Sequence, residues 1–186
     1  MNPKGLLTVL LVPAFVLLIP LVAMQFTGEV AWNTFDFIVA WVLMAGVGLA
    51  YLLVTRKAVT VAYRLAAGIA LATAFILIWI NLAVGLIGSE DNPANLLYVG
   101  VLAVGAIGAA LARFAPLGMA RTLLATALAQ FLVPVVALLI WRPDFSPGVV
   151  KVLVLNFGFV LLFAGSSLLF RHAASQRDER GGQSPA

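Results

Sequence analysis

Six long runs of apolar residues, each closed by charges, Pro or Gly, divide this chain. The first extends from about Gly5 to Phe26, between Lys4 and Gly28-Glu29, and the second from about Phe35 to Val54, where Arg56-Lys57 stops it. The third, from about Val61 to Ile87, carries Trp79 and Asn81 near its far end. It stops at Gly88-Ser89-Glu90-Asp91-Asn92-Pro93, where a Gly, two acids and a Pro end a helix together. The fourth, from about Ala94 to Ala112, ends at Arg113; the fifth, from about Leu117 to Trp141, lies between Pro116 and Arg142-Pro143-Asp144. The sixth runs from about Pro147 to Phe170 and ends at Arg171-His172. Residues 173–186, rich in Arg, Gln, Ser and Gly, predict a disordered tail.

A bilayer core takes about 20 apolar residues per helical crossing, and a barrel strand would alternate apolar and polar positions over about ten. Continuous runs of this length therefore predict an all-α membrane protein, a bundle of six transmembrane helices formed by residues 1–172. A cleaved leader is the alternative for the first run, but the run exceeds the usual apolar length of about 7 to 15 residues, and it reads as a crossing.

Composition agrees. Of 186 residues, 63% are hydrophobic and 10% charged, with no cysteine, against about 45–50% and about 25% in soluble domains. This excludes a disulfide scaffold, a zinc ribbon, a thiol redox enzyme and a DNA-binding domain.

Charge predicts the orientation. Lys4, Arg56, Lys57, Arg64, Arg113, Arg121, Arg171, Arg177 and Arg180 fall on the side of the termini with Asp178 and Glu179, a net +7. Arg142 and Lys151 fall opposite, with Glu29, Asp36, Glu90, Asp91 and Asp144, a net −3, and together these give the chain's +4. Basic loops resist translocation, so both termini are expected in the cytoplasm. The basic groups hug helix ends and come with no groove-reading fold, so nucleic acid is not an expected partner.

A shift of 57 residues superposes Arg56 and Arg64 on Arg113 and Arg121, Gly48 on Gly105, and Ala70-Leu71-Ala72 on Ala127-Leu128-Ala129. Either the second and third crossings are related to the fourth and fifth, or basic turns and Ala-rich faces recur because every membrane helix pair needs them. Small residues let membrane helices approach. The fourth crossing is rich in them (Gly105 with Ala109, Gly108 with Ala112), the third offers Ala66, Ala70 and Ala74, and the fifth Ala125 and Ala129. The fourth is therefore expected at the centre of the bundle, between the third and fifth. Pro13 and Pro20 share a face of the first crossing and Pro134 interrupts the fifth, as kinks at a pathway or as ordinary membrane prolines.

Two polar sets could carry function. Glu29, Asp36, Asn81, Glu90, Asp91, Asn92, Asn95 and Tyr98 surround the outer turns. They would form an acidic mouth that attracts a small cation or polar solute, or would serve as caps, belt aromatics and solvated acids. Their spacing matches no calcium loop. Thr73, Gln130 and Asn156 fall deep within crossings, where they line a polar path or bond neighbouring helices.

The only histidine, His172, stands at the inner end of the last crossing. No paired axial histidines for haem, no Ser-His dyad and no Cys or His cluster are therefore available. No membrane-embedded acid pair suits aspartyl proteolysis. An enzyme is not expected, nor is a cofactor or metal.

The segment Trp79-Ile-Asn-Leu-Ala-Val-Gly-Leu-Ile-Gly-Ser-Glu-Asp-Asn-Pro-Ala-Asn-Leu-Leu-Tyr98 resembles the signature of a family of small uncharacterised bacterial integral membrane proteins. Phe35-Asp36-Phe37, Gly118-Met119-Ala120-Arg121, Ala127-Leu-Ala-Gln130 and Phe170-Arg171 agree with it. The resemblance implies an inner membrane location and one compact domain, and it carries over no catalytic residue. Two functions stay open: binding or passage of a small cation or polar solute through the acidic mouth, and an accessory subunit or homo-oligomer that binds other helices and anionic lipid.

Overall fold

A computed structural model describes residues 3–28, 30–56, 58, 60–89, 91–142 and 146–182. Among these, all regular structure is helical: α1 (Pro3–Val16), α2 (Leu18–Phe26), α3 (Thr34–Thr55), α4 (Val61–Ala83), a 3-10 turn (Pro93–Leu96), α5 (Leu97–Leu111), α6 (Pro116–Trp141) and α7 (Pro147–Gly182). With α1–α2 taken as one span and the 3-10 turn joined to α5, six helices are long and apolar enough to cross a membrane. Large apolar side chains point outward along them, among them Ile19, Ile107, Leu139, Val154 and Leu168. Such a surface suits lipid and would be a liability in water.

Local chemistry sets the helix ends. Asn33 and Asp36 form a reciprocal capping box on α3, and Thr60 Oγ1 accepts the Tyr63 N–H at the start of α4. α6 and α7 each begin on a proline, whose missing N–H costs nothing in the first turn. Pro20 has no N–H for the Val16 carbonyl, and the first span breaks at Leu17 into α1 and α2.

The chain forms two compact units, divided after Arg56. The boundary falls inside the first of the two helix pairs that the 57-residue shift superposes. In the first unit α1 packs on α3. Gly48 admits Val9, whose side chain would lie 3.0 Å from an added Cβ, and Trp41 Nε1 donates to the Leu10 carbonyl at 3.2 Å.

In the second unit α7 packs against both α4 and α6, and α5 packs against α6. This corrects the expected order: α5, the small-residue helix, lies at the side of α6, and α7 is the helix between α4 and α6. The approach of α5 to α6 is the expected one, whereas the small residues of α4 meet a different partner. Gly108 brings α5 so close to α6 that an added Cβ would lie 2.6 Å from Thr122 Cγ2. The small face of α4 goes to α7, where Ser166 Oγ donates to the carbonyl of buried Ala66 at 2.8 Å. On the other side of α7, Ser167 Oγ donates to the Ala120 carbonyl at 2.6 Å. Small side chains state how closely two backbones can meet, and not which two.

Two boundaries also differ from the sequence reading. α4 ends at Ala83, four residues before Ile87, because Gly85 and Gly88 take φ of +70° and +73° and turn the chain into a loop. The tail expected to be disordered from Ala173 instead continues α7 to Gly182; residues 183–186 lie outside the described set. Ala173 is buried, and Phe170 stacks edge-on against Tyr63 with ring centroids 4.9 Å apart, so packing carries the helix past its apolar stretch.

The turn from α5 to α6 puts two non-glycine residues, Arg113 (φ 47°) and Phe114 (φ 60°), in the left-handed region. That conformation is unfavourable for both. The Tyr63 hydroxyl donates to the Phe114 carbonyl at 2.7 Å and ties the turn to α4.

Candidate functional site

Three polar side chains of the second unit, Tyr98, Gln130 and Asn156, meet between α5, α6 and α7. Asn156, on α7, is at the centre, and its amide orientation is dictated by its own helix: Nδ2 donates to the Val152 carbonyl at 2.8 Å. Asn156 Oδ1 then faces its neighbours and accepts both the Tyr98 hydroxyl and Gln130 Nε2, each at 2.9 Å. All three side chains are buried, and Gln130 has no solvent exposure at all. One atom is left over. Gln130 Oε1 is buried and has no hydrogen-bond partner, where an unmade bond costs roughly 1–3 kcal/mol.

The loop between α4 and α5 is held by Asn95. Its Oδ1 accepts the N–H groups of Leu86 (3.1 Å) and Ile87 (2.9 Å), and its Nδ2 donates to the Ser89 (2.7 Å) and Ile87 (3.3 Å) carbonyls. Asn92 Oδ1 accepts the Ala94 N–H at 2.9 Å and caps the 3-10 turn. A Cβ on Gly85 would collide with the Ser89 carbonyl, so this tight path requires glycine.

Beneath this loop, between it and the ends of α6 and α7, is a crevice of about 350 Å³. Leu86, Ile87, Ala137, Leu138, Val149 and Leu153 make its walls mainly apolar, Trp141 and Ser146 stand at its sides, and Pro134 and Val152 also line it. A second groove of about 370 Å³ runs along the α6–α7 seam between Phe131, Val135, Phe157 and Val160 and reaches Asn156. Pro134 and Leu153 wall both. Exposed Phe131, Val154 and Phe157 place the second groove on the outward face of the seam.

The sequence-predicted residues therefore divide. Gln130 and Asn156 come together, and Tyr98 joins them. Its expected place at the outer mouth is corrected, because it is turned inward, 2% exposed, to a partner 58 residues away. Asn95 and Asn92 belong to the loop's own scaffold. Asp36, in the first unit, accepts the Asn33 N–H at 2.8 Å as half of a cap. Asp91 is exposed, and Glu29 and Glu90 lie outside the described residues. Asn81 is two residues from the end of α4; its Nδ2 donates to the Leu77 carbonyl at 2.8 Å, and its buried Oδ1 has no partner. Thr73 is buried and donates to its own helix at Ile69. Sequence reasoning missed Ser166 and Ser167. Two adjacent hydroxyls inside an apolar run, each needing a buried acceptor, were the available signal.

Among the described residues no cluster of three or more His, Cys, Asp or Glu is placed to hold a metal ion. Comparisons with protein families, curated proteins and solved structures find no match to this chain.

Proposed function

We propose that this is a non-enzymatic, multi-pass protein of a bacterial inner membrane, with both termini cytoplasmic, that binds a small and largely apolar molecule at the α6–α7 seam. The observation that carries this reading is the crevice beneath the Asn95-locked loop. Concave, mainly apolar sites of about 300–1,000 Å³ with a few fixed polar groups are the usual form of a small-molecule site, and this one lies within that range. The charge layout and the family resemblance support the location. Transit of a small cation or polar solute through an acidic mouth draws less support, since Asp36, Asn92 and Asn95 already engage their acceptors in caps and the loop.

Thermal unfolding in detergent tests the reading. A butyl-substituted benzene derivative should raise the melting temperature saturably, as binding to the folded state alone requires. Ala137→Phe, which fills the crevice, should abolish the effect. No saturable stabilisation, or an effect unchanged in Ala137→Phe, would overturn it.

A second reading, an accessory subunit or homo-oligomer, is favoured by Gly158 and Gly165. They are seven residues apart on α7, and an added Cβ would meet nothing within 4 Å at either. Purification in mild detergent should then return a dimer or a copurifying helix protein, and a lone monomer counts against it.

A further inference from the structure

The polar side chains among the described residues that line the crevice are Asn92, Trp141 and Ser146, and each of them offers a donor. Asn92 Oδ1 already accepts the Ala94 N–H at 2.9 Å, which fixes the amide and leaves Nδ2 to donate. Nδ2 lies over Gly88, 2.8 Å from where a Cβ would stand, and Gly88 is itself part of the crevice wall. Among the described residues the buried side-chain atoms without a partner are Asn81 Oδ1 and Gln130 Oε1. Asn92 Nδ2 makes no hydrogen bond with the described residues either, yet it is not one of those buried atoms, so it keeps accessible surface at this wall. Trp141 is exposed at the end of α6; its indole N–H can only donate, and no described residue accepts it. Ser146 Oγ accepts the Val149 N–H at 3.4 Å and keeps its own O–H to give.

Trp141 closes α6 and Ser146 precedes α7, so both stand at the end of the crevice that the loop covers. The other end is apolar as far as Pro134 and Leu153, which also wall the lateral groove. Trp141 and Pro134 are separated by seven residues of α6, about 10 Å. The crevice is thus a short slot with donors at one end and hydrocarbon at the other.

We propose, on the strength of the crevice reading above, that the occupant is a compact, neutral, apolar molecule bearing a carbonyl, whose oxygen accepts from Asn92 Nδ2 while its hydrocarbon part lies toward Pro134 and Leu153. A carboxylate fits less well, because none of the described lining residues is a cation that would offset its charge. A two-chain lipid is too large for a crevice of about 350 Å³, which is at the low end of the range for small-molecule sites. An analogue without the carbonyl covers Nδ2 and leaves it unpaired, so a site of this kind discriminates between the two.

The test compares 1-phenylpentan-1-one with pentylbenzene, in which a methylene replaces the carbonyl, by thermal-shift titration of the detergent-solubilised full chain. The quantity read is the ratio of the two affinities in each variant, from which any difference in micelle partitioning cancels. Asn92→Asp keeps the oxygen that caps the 3-10 turn and replaces the amide donor with an acceptor. It should lower the ketone-to-hydrocarbon ratio about three- to tenfold, with pentylbenzene binding retained. Asn92→Ser, also a capping residue, serves if the first variant does not fold and should lower the ratio in the same way. A ratio that does not change overturns the carbonyl assignment and leaves the crevice reading standing. Saturable binding of neither probe to wild type overturns both.

Discussion

Gln130 on α6 and Asn156 on α7 share one hydrogen bond at 2.9 Å, and only one of them is fully satisfied by it. Asn156 uses both ends of its amide, whereas Gln130 keeps Oε1 unpaired. The asymmetry yields an order of variant stabilities. Asn156→Leu strands the Tyr98 hydroxyl and Gln130 Nε2 together and should cost about 2–4 kcal/mol. Gln130→Leu removes an unpaired oxygen along with one donor and should fall within about 1 kcal/mol of wild type. Chemical unfolding in mixed micelles measures both, and a larger loss for Gln130→Leu would reverse the assigned roles.

The approach of α5 to α6 depends on Gly108. Thr122 lies where its Cβ would be, so Gly108→Leu should separate the pair and prevent recovery of folded protein, and even Gly108→Ala should lower the melting temperature. Gly100 on the same helix has open space at its Cβ position. There Gly→Ala should be neutral or stabilise by about 0.5–1 kcal/mol through helix propensity. Melting of the two Ala variants side by side checks the contrast.

The left-handed pair at Arg113 and Phe114 gives a prediction of opposite sign. Phe114→Gly should relieve backbone strain and stabilise the fold by up to about 1 kcal/mol, less any packing its ring provides. Tyr63→Phe, which withdraws the donor from the Phe114 carbonyl, should cost about 1 kcal/mol. In the Tyr63→Phe, Phe114→Gly double variant the two effects should not add, because the hydroxyl restrains the turn that the glycine relaxes.

Asn95→Ala removes four contacts that hold the 86–89 loop. Hydrogen exchange at the Leu86 and Ile87 amides should quicken by about tenfold or more while the centre of α6 stays protected. Unchanged exchange would mean the loop is held by something other than this side chain.

Orientation can be read by labelling, helped by the absence of native cysteine. Asp91→Cys should react with an impermeant maleimide on intact cells and Arg177→Cys only after lysis. The reverse pattern would invert the topology drawn from charge.

Helix number and approximate extent were legible because a bilayer needs long apolar runs whatever their partners. Helix order was not: Gly105, Gly108 and Ala66 marked surfaces of close approach, but the hydroxyls of Ser166 and Ser167 decided that α7 takes the middle. Among candidate site residues, Gln130 and Asn156 were legible as expensive groups at depth. Tyr98 was misplaced because a polar group near an interface can turn to water or to the interior, and that choice depends on a partner distant in sequence. The loop's left-handed glycines were visible as residues, yet their effect of ending α4 at Ala83 came from geometry.

α7 is bonded to three different helices through side chains on its own surface: Asn156 to α5 and α6, Ser166 to α4, and Ser167 to α6. Turning it by a single residue, about 100°, would break every one of these attachments at once. The helix is thus keyed like a splined shaft. Torque applied to its C-terminal extension, up to Gly182, would be resisted along the whole seam, and a twist large enough to slip would reach the Gln130 oxygen and the crevice walls in the same movement.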